Sequence, residues 1–193
     1  MVIVMSNEYK DWELDKIEEE KRIVAEYPFL RLRDIDGTVD MESKFPMMGL
    51  EIPTGWYKLF FQMCSDIKPL LEKEGVLDNF YFLQCKEKFN TLRCYSNNAA
   101  SQEVEDIISK YENMATSVCT LCGKPATCVS TGYWASFCDD CWKDHFRHEN
   151  MDWIEFKPYY KVTSFSKGEH YEKTISFEDE WNRYVKENGY EKS

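Results

Sequence analysis

Cys119-Thr-Leu-Cys122-Gly123-Lys-Pro-Ala-Thr-Cys128-Val-Ser-Thr-Gly132-Tyr-Trp-Ala-Ser-Phe-Cys138-Asp-Asp-Cys141 is the stretch on which the reading of this chain turns. It contains two C-x-x-C pairs, with glycine directly after the first. A C-x-x-C pair folds the chain back so that both sulfurs face one point, and two pairs at ribbon spacing supply a tetrahedral zinc site. Four thiolates fill that tetrahedron and leave no position for water, so the expected cofactor is a structural Zn2+ rather than a catalytic one. The expected ligands are Cys119, Cys122, Cys138 and Cys141, with His145 and His148 as competing donors. If the second pair opens a helix, both histidines lie on it, and Asp139 and Asp140 suit its positive end. Between the pairs, 126–131 and 133–137 read as a hairpin turning at Gly132. Knuckle, hairpin, knuckle and helix describe a treble clef; without the helix, the same order is a zinc ribbon.

Outside the pairs lie Cys64, Cys85, Cys94 and Cys128. The opening residues have no basic region and too short an apolar run for a secretory signal, and no stretch approaches the ~18 apolar residues of a membrane span. The chain therefore reads as a protein of the host-cell cytoplasm, where thiols stay reduced and paired cysteines hold metal. A thioredoxin-type site would instead need one pair within a βαβ unit. The remaining cysteines read as small buried hydrophobes. No histidine precedes His145, so no cysteine–histidine nucleophile is in view.

The net charge of −11 narrows the partners. Residues 51–100 balance six acids with six bases, so the surplus acid lies in the flanks. Around the pairs, Lys124, Lys143 and Arg147 face Asp139, Asp140, Asp144 and Glu149. A nucleic-acid-binding module would present a basic face, so nucleic acid is not the expected partner. No P-loop, nucleophile elbow, H-E-x-x-H or H-x-E…P-C-x-x-C pattern is present.

Upstream, residues 11–26 read as an amphipathic helix with Leu14, Ile17, Val24 and Tyr27 inward. Residues 28–54 read as an irregular packed segment with short strands at most. Thr54 reads as the cap of a helix whose stripe is Trp56, Phe60, Met63, Ile67 and Leu70, with Pro69 kinking or shortening its last turn and Gly75 ending it. Residues 80–85 and 92–95 read as a hairpin joined by 86–91. Ser101 reads as the cap of a third helix, to Met114, with Val104, Ile107, Ile108 and Tyr111 inward. After the knuckles, 153–156 and 159–165 read as strands. Ser176 reads as the cap of a short last helix with Phe177, Trp181 and Tyr184 on one side. The expected fold is α+β: helices packed on a small antiparallel sheet, with an integrated four-cysteine module. The expected divisions are a main domain over 1–114, the metal module over 115–150, and 151–193 packing back on the main domain.

The segments Tyr27-Pro-Phe-Leu-Arg31, Gly55-Trp56, Gln84-Cys-Lys-Glu-Lys-Phe-Asn-Thr-Leu-Arg-Cys-Tyr95 and Thr120-Leu-Cys-Gly-Lys-Pro-Ala126 occur in an order that resembles an uncharacterised family of phage and prophage proteins. That family has a Lys-Glu-Lys-aromatic-Gly-x-Leu-Arg-x-Tyr hairpin before a pair of cysteine knuckles. Its hairpin glycine is Asn90 here, a residue that also tolerates left-handed backbone. The resemblance covers about residues 27–142. It implies a mobile-element origin and a metal site, and carries over no activity. The expected function is a zinc-stabilised, non-enzymatic interaction protein that binds a host protein or a small host-derived ligand, in counter-defence. A nucleic-acid-associated zinc protein and an enzyme without a recognisable motif are the alternatives. Outside the metal site, the candidate binding residues are Lys86, Glu87, Lys88 and Arg93, charges read as crowding a hairpin tip.

Overall fold

The computed structural model describes residues 11–145, 150–166 and 169–191. Among these residues the protein is α+β, with five α-helices and sheets of three, three and two strands. Helix α1 (Asp11–Glu26) forms where its charge pattern places it. Its inward face differs from the expected one. Val24 and Tyr27 are buried, but Leu14 is 46% exposed, and Glu20 sits inside at 6%. The chain over the first turns meets α1 through charged side chains, Lys44 pairing with Glu13 at 3.1 Å and Lys16 lying over the Phe45 ring at 4.8 Å. The Met47 N–H donates to Glu20 Oε2 at 3.4 Å and accounts for the buried acid.

The segment after Tyr27 is irregular and packed: Phe29 and Leu30 are fully buried in a single 3-10 turn. It ends in the two-residue strand β1 (Leu50–Glu51). Helix α2 (Tyr57–Glu74) follows a 3-10 turn, Thr54–Trp56, that runs straight into it. Thr54 therefore lies inside a turn and caps nothing through its side chain. Trp56, Phe60, Met63 and Ile67 face inward as the spacing predicts, but the stripe closes on Leu71, while Leu70 is only partly buried. Pro69 does not end the helix, which continues to Glu74. Gly75, at φ 69°, terminates it by donating to the Leu71 and Glu72 carbonyls.

Strands β2 (Phe82–Lys88) and β3 (Thr91–Ser96) pair antiparallel, with Cys85 opposite Cys94 and Lys86 opposite Arg93. Their turn is only Phe89-Asn90, at φ 52° and 60°. Two successive left-handed residues make a twist-matched two-residue hairpin, so the strands run further than the sequence suggested. The parallel partner of β2 is β1, which makes this sheet mixed rather than antiparallel. Helix α2 is the crossover that a parallel pair requires. Helix α3 (Gln102–Met114) covers the β3 edge: Glu112 Oε1 accepts from the Cys94 N–H at 2.8 Å, and Glu105 Oε1 from the Ser96 hydroxyl at 2.8 Å. Val104, Ile108 and Tyr111 are buried as expected, with Ile107 packed partly against the core. Ser101 occupies the cap position, but its hydroxyl bonds Glu74 instead of the helix.

A 3-10 turn, Ala115–Ser117, leads directly into the cysteine module. There β4 (Cys128–Ser130) pairs with β5 (Ser136–Phe137) on one side and β6 (Met151–Trp153) on the other. Helix α4 (Asp139–His145) follows β5. Next, β7 (Tyr159–Ser166) and β8 (Glu169–Ser176) form a two-stranded ribbon. The second of these strands was not anticipated, because its charged run shows no apolar period. Helix α5 (Glu178–Glu187) returns to the main core with Phe177, Trp181 and Tyr184 buried. Ser176 Oγ accepts from the Glu178 N–H at 3.3 Å, close to the capping role assigned to it. Asp66 Oδ2 ties three helices together, accepting from Tyr111 Oη at 2.6 Å and from Arg183.

Candidate metal centre

The first knuckle is a tight turn. Gly123, at φ 81°, donates to the Cys119 carbonyl at 3.0 Å, and the Cys119 N–H donates to the Lys124 carbonyl at 2.8 Å. The second knuckle spans the end of β5 and the first turn of α4, where the Trp142 N–H reaches the Cys138 carbonyl at 2.9 Å. These two folds bring the sulfurs of Cys119, Cys122, Cys138 and Cys141 within 4.8 Å of one another. Cys122 and Cys138 are 3.6 Å apart. Sulfurs at ~2.3 Å from a tetrahedral ion are about 3.8 Å from each other, so four sulfurs already within 4.8 Å are close enough to hold a metal ion. His145 is not part of the cluster. His148 lies outside the described residues.

The electrostatics favour a cation. Burial opposes ionisation of Cys119, but the N–H groups of Cys138, Cys122 and Leu121 outweigh it and hold its pKa below the usual thiol value. Burial pushes Cys122 up to about 11. It also raises Cys141, as do the neighbouring sulfurs. Without a cation, four thiolates in one place repel one another. A divalent ion reverses that balance and drives the protons off. Cys128 is buried beside the cluster and points its thiol at the Phe137 carbonyl, 3.6 Å away. Cys64, Cys85 and Cys94 are buried in the main core, as expected of small hydrophobes.

The cluster is built into the main fold. The Gly55 N–H donates to the Thr120 carbonyl at 3.0 Å, and the Trp56 indole to the Val118 carbonyl at 3.1 Å. A Cβ on Gly55 would lie 2.2 Å from the Cys119 carbonyl oxygen, so glycine is the residue that admits this approach. From the other side, Tyr184 Oη donates to the Gly123 carbonyl at 2.6 Å. A second attachment is made at the β2–β3 turn. Asn90 Nδ2 donates to Ser136 Oγ at 2.7 Å, and the Ser136 N–H donates to Asn90 Oδ1 at 2.9 Å. Glu87 completes it, accepting from the Asn90 N–H at 2.7 Å and from Tyr133 Oη at 2.8 Å.

The four charges proposed at the hairpin do not form one tip. They lie in strands rather than in the turn, because the turn is only Phe89-Asn90. Register and alternation put Lys86, Lys88 and Arg93 on the outer face of the sheet and Glu87 on the inner one. Arg93 pairs with Glu112 at 3.6 Å, and Lys86 lies over the Tyr95 ring at 5.6 Å. Sequence reasoning missed Asn90, Tyr133 and Trp134. The Tyr-Trp pair directly after Gly132 was the available signal, since a short hairpin has no interior in which to hide both rings.

No protein-family model matches the chain, and no curated protein or solved structure is significantly similar to it. No helix among the described residues is long and apolar enough to cross a membrane.

Proposed function

We propose that Cys119, Cys122, Cys138 and Cys141 hold one structural Zn2+, and that the protein works by binding a partner rather than by catalysis. The observation that carries this reading is the closed set of four sulfurs, clustered within 4.8 Å at the junction of module and main core. Such a set leaves no open position for a substrate or water. Knuckle, hairpin, and knuckle at a helix start give the module the order of a treble clef. With the metal bound, the β4–β5 hairpin is fixed against the β2–β3 turn, and the two present a joint surface. The resemblance to phage and prophage proteins supplies the setting: a host protein or small host-derived ligand, met in counter-defence. The test is affinity capture from bacterial lysate with zinc-loaded protein and with Cys122→Ser. A partner retained by the first and lost by the second supports the reading. A partner held equally by both contradicts the link between metal and binding.

A further inference from the structure

Three exposed aromatic rings and one carboxylate converge where the β2–β3 turn faces the β4–β5 hairpin. Phe89 and Tyr133 are each 73% exposed, and Trp134 is 60% exposed. With Glu87 and Gly132 they line a hollow of about 520 Å3. Tyr133 is held in place through its hydroxyl, which donates to Glu87 Oε2 at 2.8 Å. The other Glu87 oxygen is fixed by the Asn90 N–H at 2.7 Å. Phe89 is a bulky residue in left-handed backbone at φ 52°, and it turns its ring outward instead of burying it.

The chemistry of this hollow is one-sided. Aromatic faces are electron-rich, and a ring of them around a carboxylate attracts a cation. Among the described residues, none that lines the hollow is basic. Lys88 Nζ stands 5.9 Å from the Phe89 centroid, at the outer limit of such a contact, and lies outside the hollow. A second hollow of about 380 Å3 adjoins the first and shares Glu87 and Tyr133 with it. Its further walls include Pro53, Leu121, Ala135 and Phe137. The chain as a whole carries −11, so a basic partner is drawn toward it.

We infer that this surface seats a lysine or arginine side chain of a protein partner, with a neighbouring apolar side chain of that partner in the second hollow. The inference rests on the interaction reading above and names the partner's chemistry. Glu87 supplies the charge, Tyr133 and Trp134 supply the ring faces, and the two docked hairpins hold them at fixed separation. A glutamate or aspartate segment would face both the carboxylate and the net charge, and is excluded.

The test uses the zinc-loaded full chain and a pair of synthetic peptides, followed by nuclear magnetic resonance. One peptide carries a central lysine beside a leucine; the other has norleucine in place of the lysine. The lysine peptide is expected to shift the Tyr133 and Trp134 ring signals. Its affinity should fall about ten-fold with norleucine, and by a similar factor in Trp134→Ala. Glu87→Gln serves as a second variant, since it keeps a hydrogen-bonding group at this position and removes the charge. Equal binding of both peptides would reduce the surface to an apolar patch and overturn the inference. So would the absence of any shift at millimolar peptide. Tetramethylammonium binding as well as the lysine peptide would show that the second hollow contributes nothing, and the peptide partner would fall. Each of these failures leaves the zinc content and the Cys122→Ser comparison untouched, so it is distinguishable from failure of the interaction reading.

Discussion

Asn90 performs two tasks that conflict in most residues. Its backbone is left-handed at φ 60°, where glycine would be easier, and its carboxamide makes both hydrogen bonds to the fully buried Ser136. Asn90→Gly keeps the turn and removes the attachment. It should destabilise the protein by about 2 kcal/mol, as two buried hydrogen bonds of ~1 kcal/mol each are lost. Urea unfolding measures this, and a variant as stable as the wild type would reduce Asn90 to a turn residue. Glu112 is a second informative position. Burial raises its carboxyl above the usual range, against the Cys94 N–H and the Arg93 guanidinium, which hold it down. A raised folded pKa means that the ionised form opposes folding. That contribution is favourable below the ordinary carboxylate pKa and is lost as pH rises through the raised value. Glu112→Gln keeps an acceptor for Cys94 and discards the charge. It should be more stable than the wild type at neutral pH, with the gap closing as pH falls below the carboxylate range. A less stable variant at neutral pH would show that the ion pair with Arg93 outweighs burial.

Among the elements, α2 contains an internal conflict. Pro69 lies in its interior, exposed, five residues before its end, and cannot bond the carbonyl one turn back. Pro69→Ala should stabilise the protein by about 1–3 kcal/mol, read as a higher melting midpoint. A lower midpoint would mean that the proline's fixed backbone matters more than its missing donor. The helix itself was legible because Trp56, Phe60, Met63 and Ile67 recur at helical spacing with Gly75 behind them. The knuckles were legible because ligand chemistry fixes their spacing. What escaped was set by partners distant in the chain. Thr54 resembles a cap only until the turn docking Gly55 against Thr120 is known. Leu14 fits its helix period but is left 46% exposed. The charges of Lys86-Glu-Lys88 look like a tip until a two-residue turn draws them into a strand and alternation sends Glu87 to the opposite face. Strand β8 was invisible because Glu169-His-Tyr-Glu-Lys-Thr-Ile-Ser176 carries charge where a strand signal needs apolar alternation.

At the scale of the whole molecule, the cysteine module has its own small apolar cluster but is hydrogen-bonded into the main core. Trp56, fully buried in the core, donates to the residue before Cys119, and Tyr184 of α5 holds the glycine after Cys122. On the proposed metal reading, loss of the ion would free both knuckles and thereby loosen α2 and α5, which the hydrogen bonds of Gly55, Trp56 and Tyr184 tie to them. A strong chelator should therefore lower the melting midpoint of the entire protein in a single transition, with far-ultraviolet dichroism and tryptophan fluorescence moving together. Two separate transitions, with the main core unmoved, would show an independent module. The central claim is one Zn2+ on four thiolates, and native mass spectrometry of the reduced protein tests it most directly. One zinc per chain, absent in Cys122→Ser, is the predicted result. A wild-type mass without metal, or lighter by the two hydrogens of a disulfide, would contradict it.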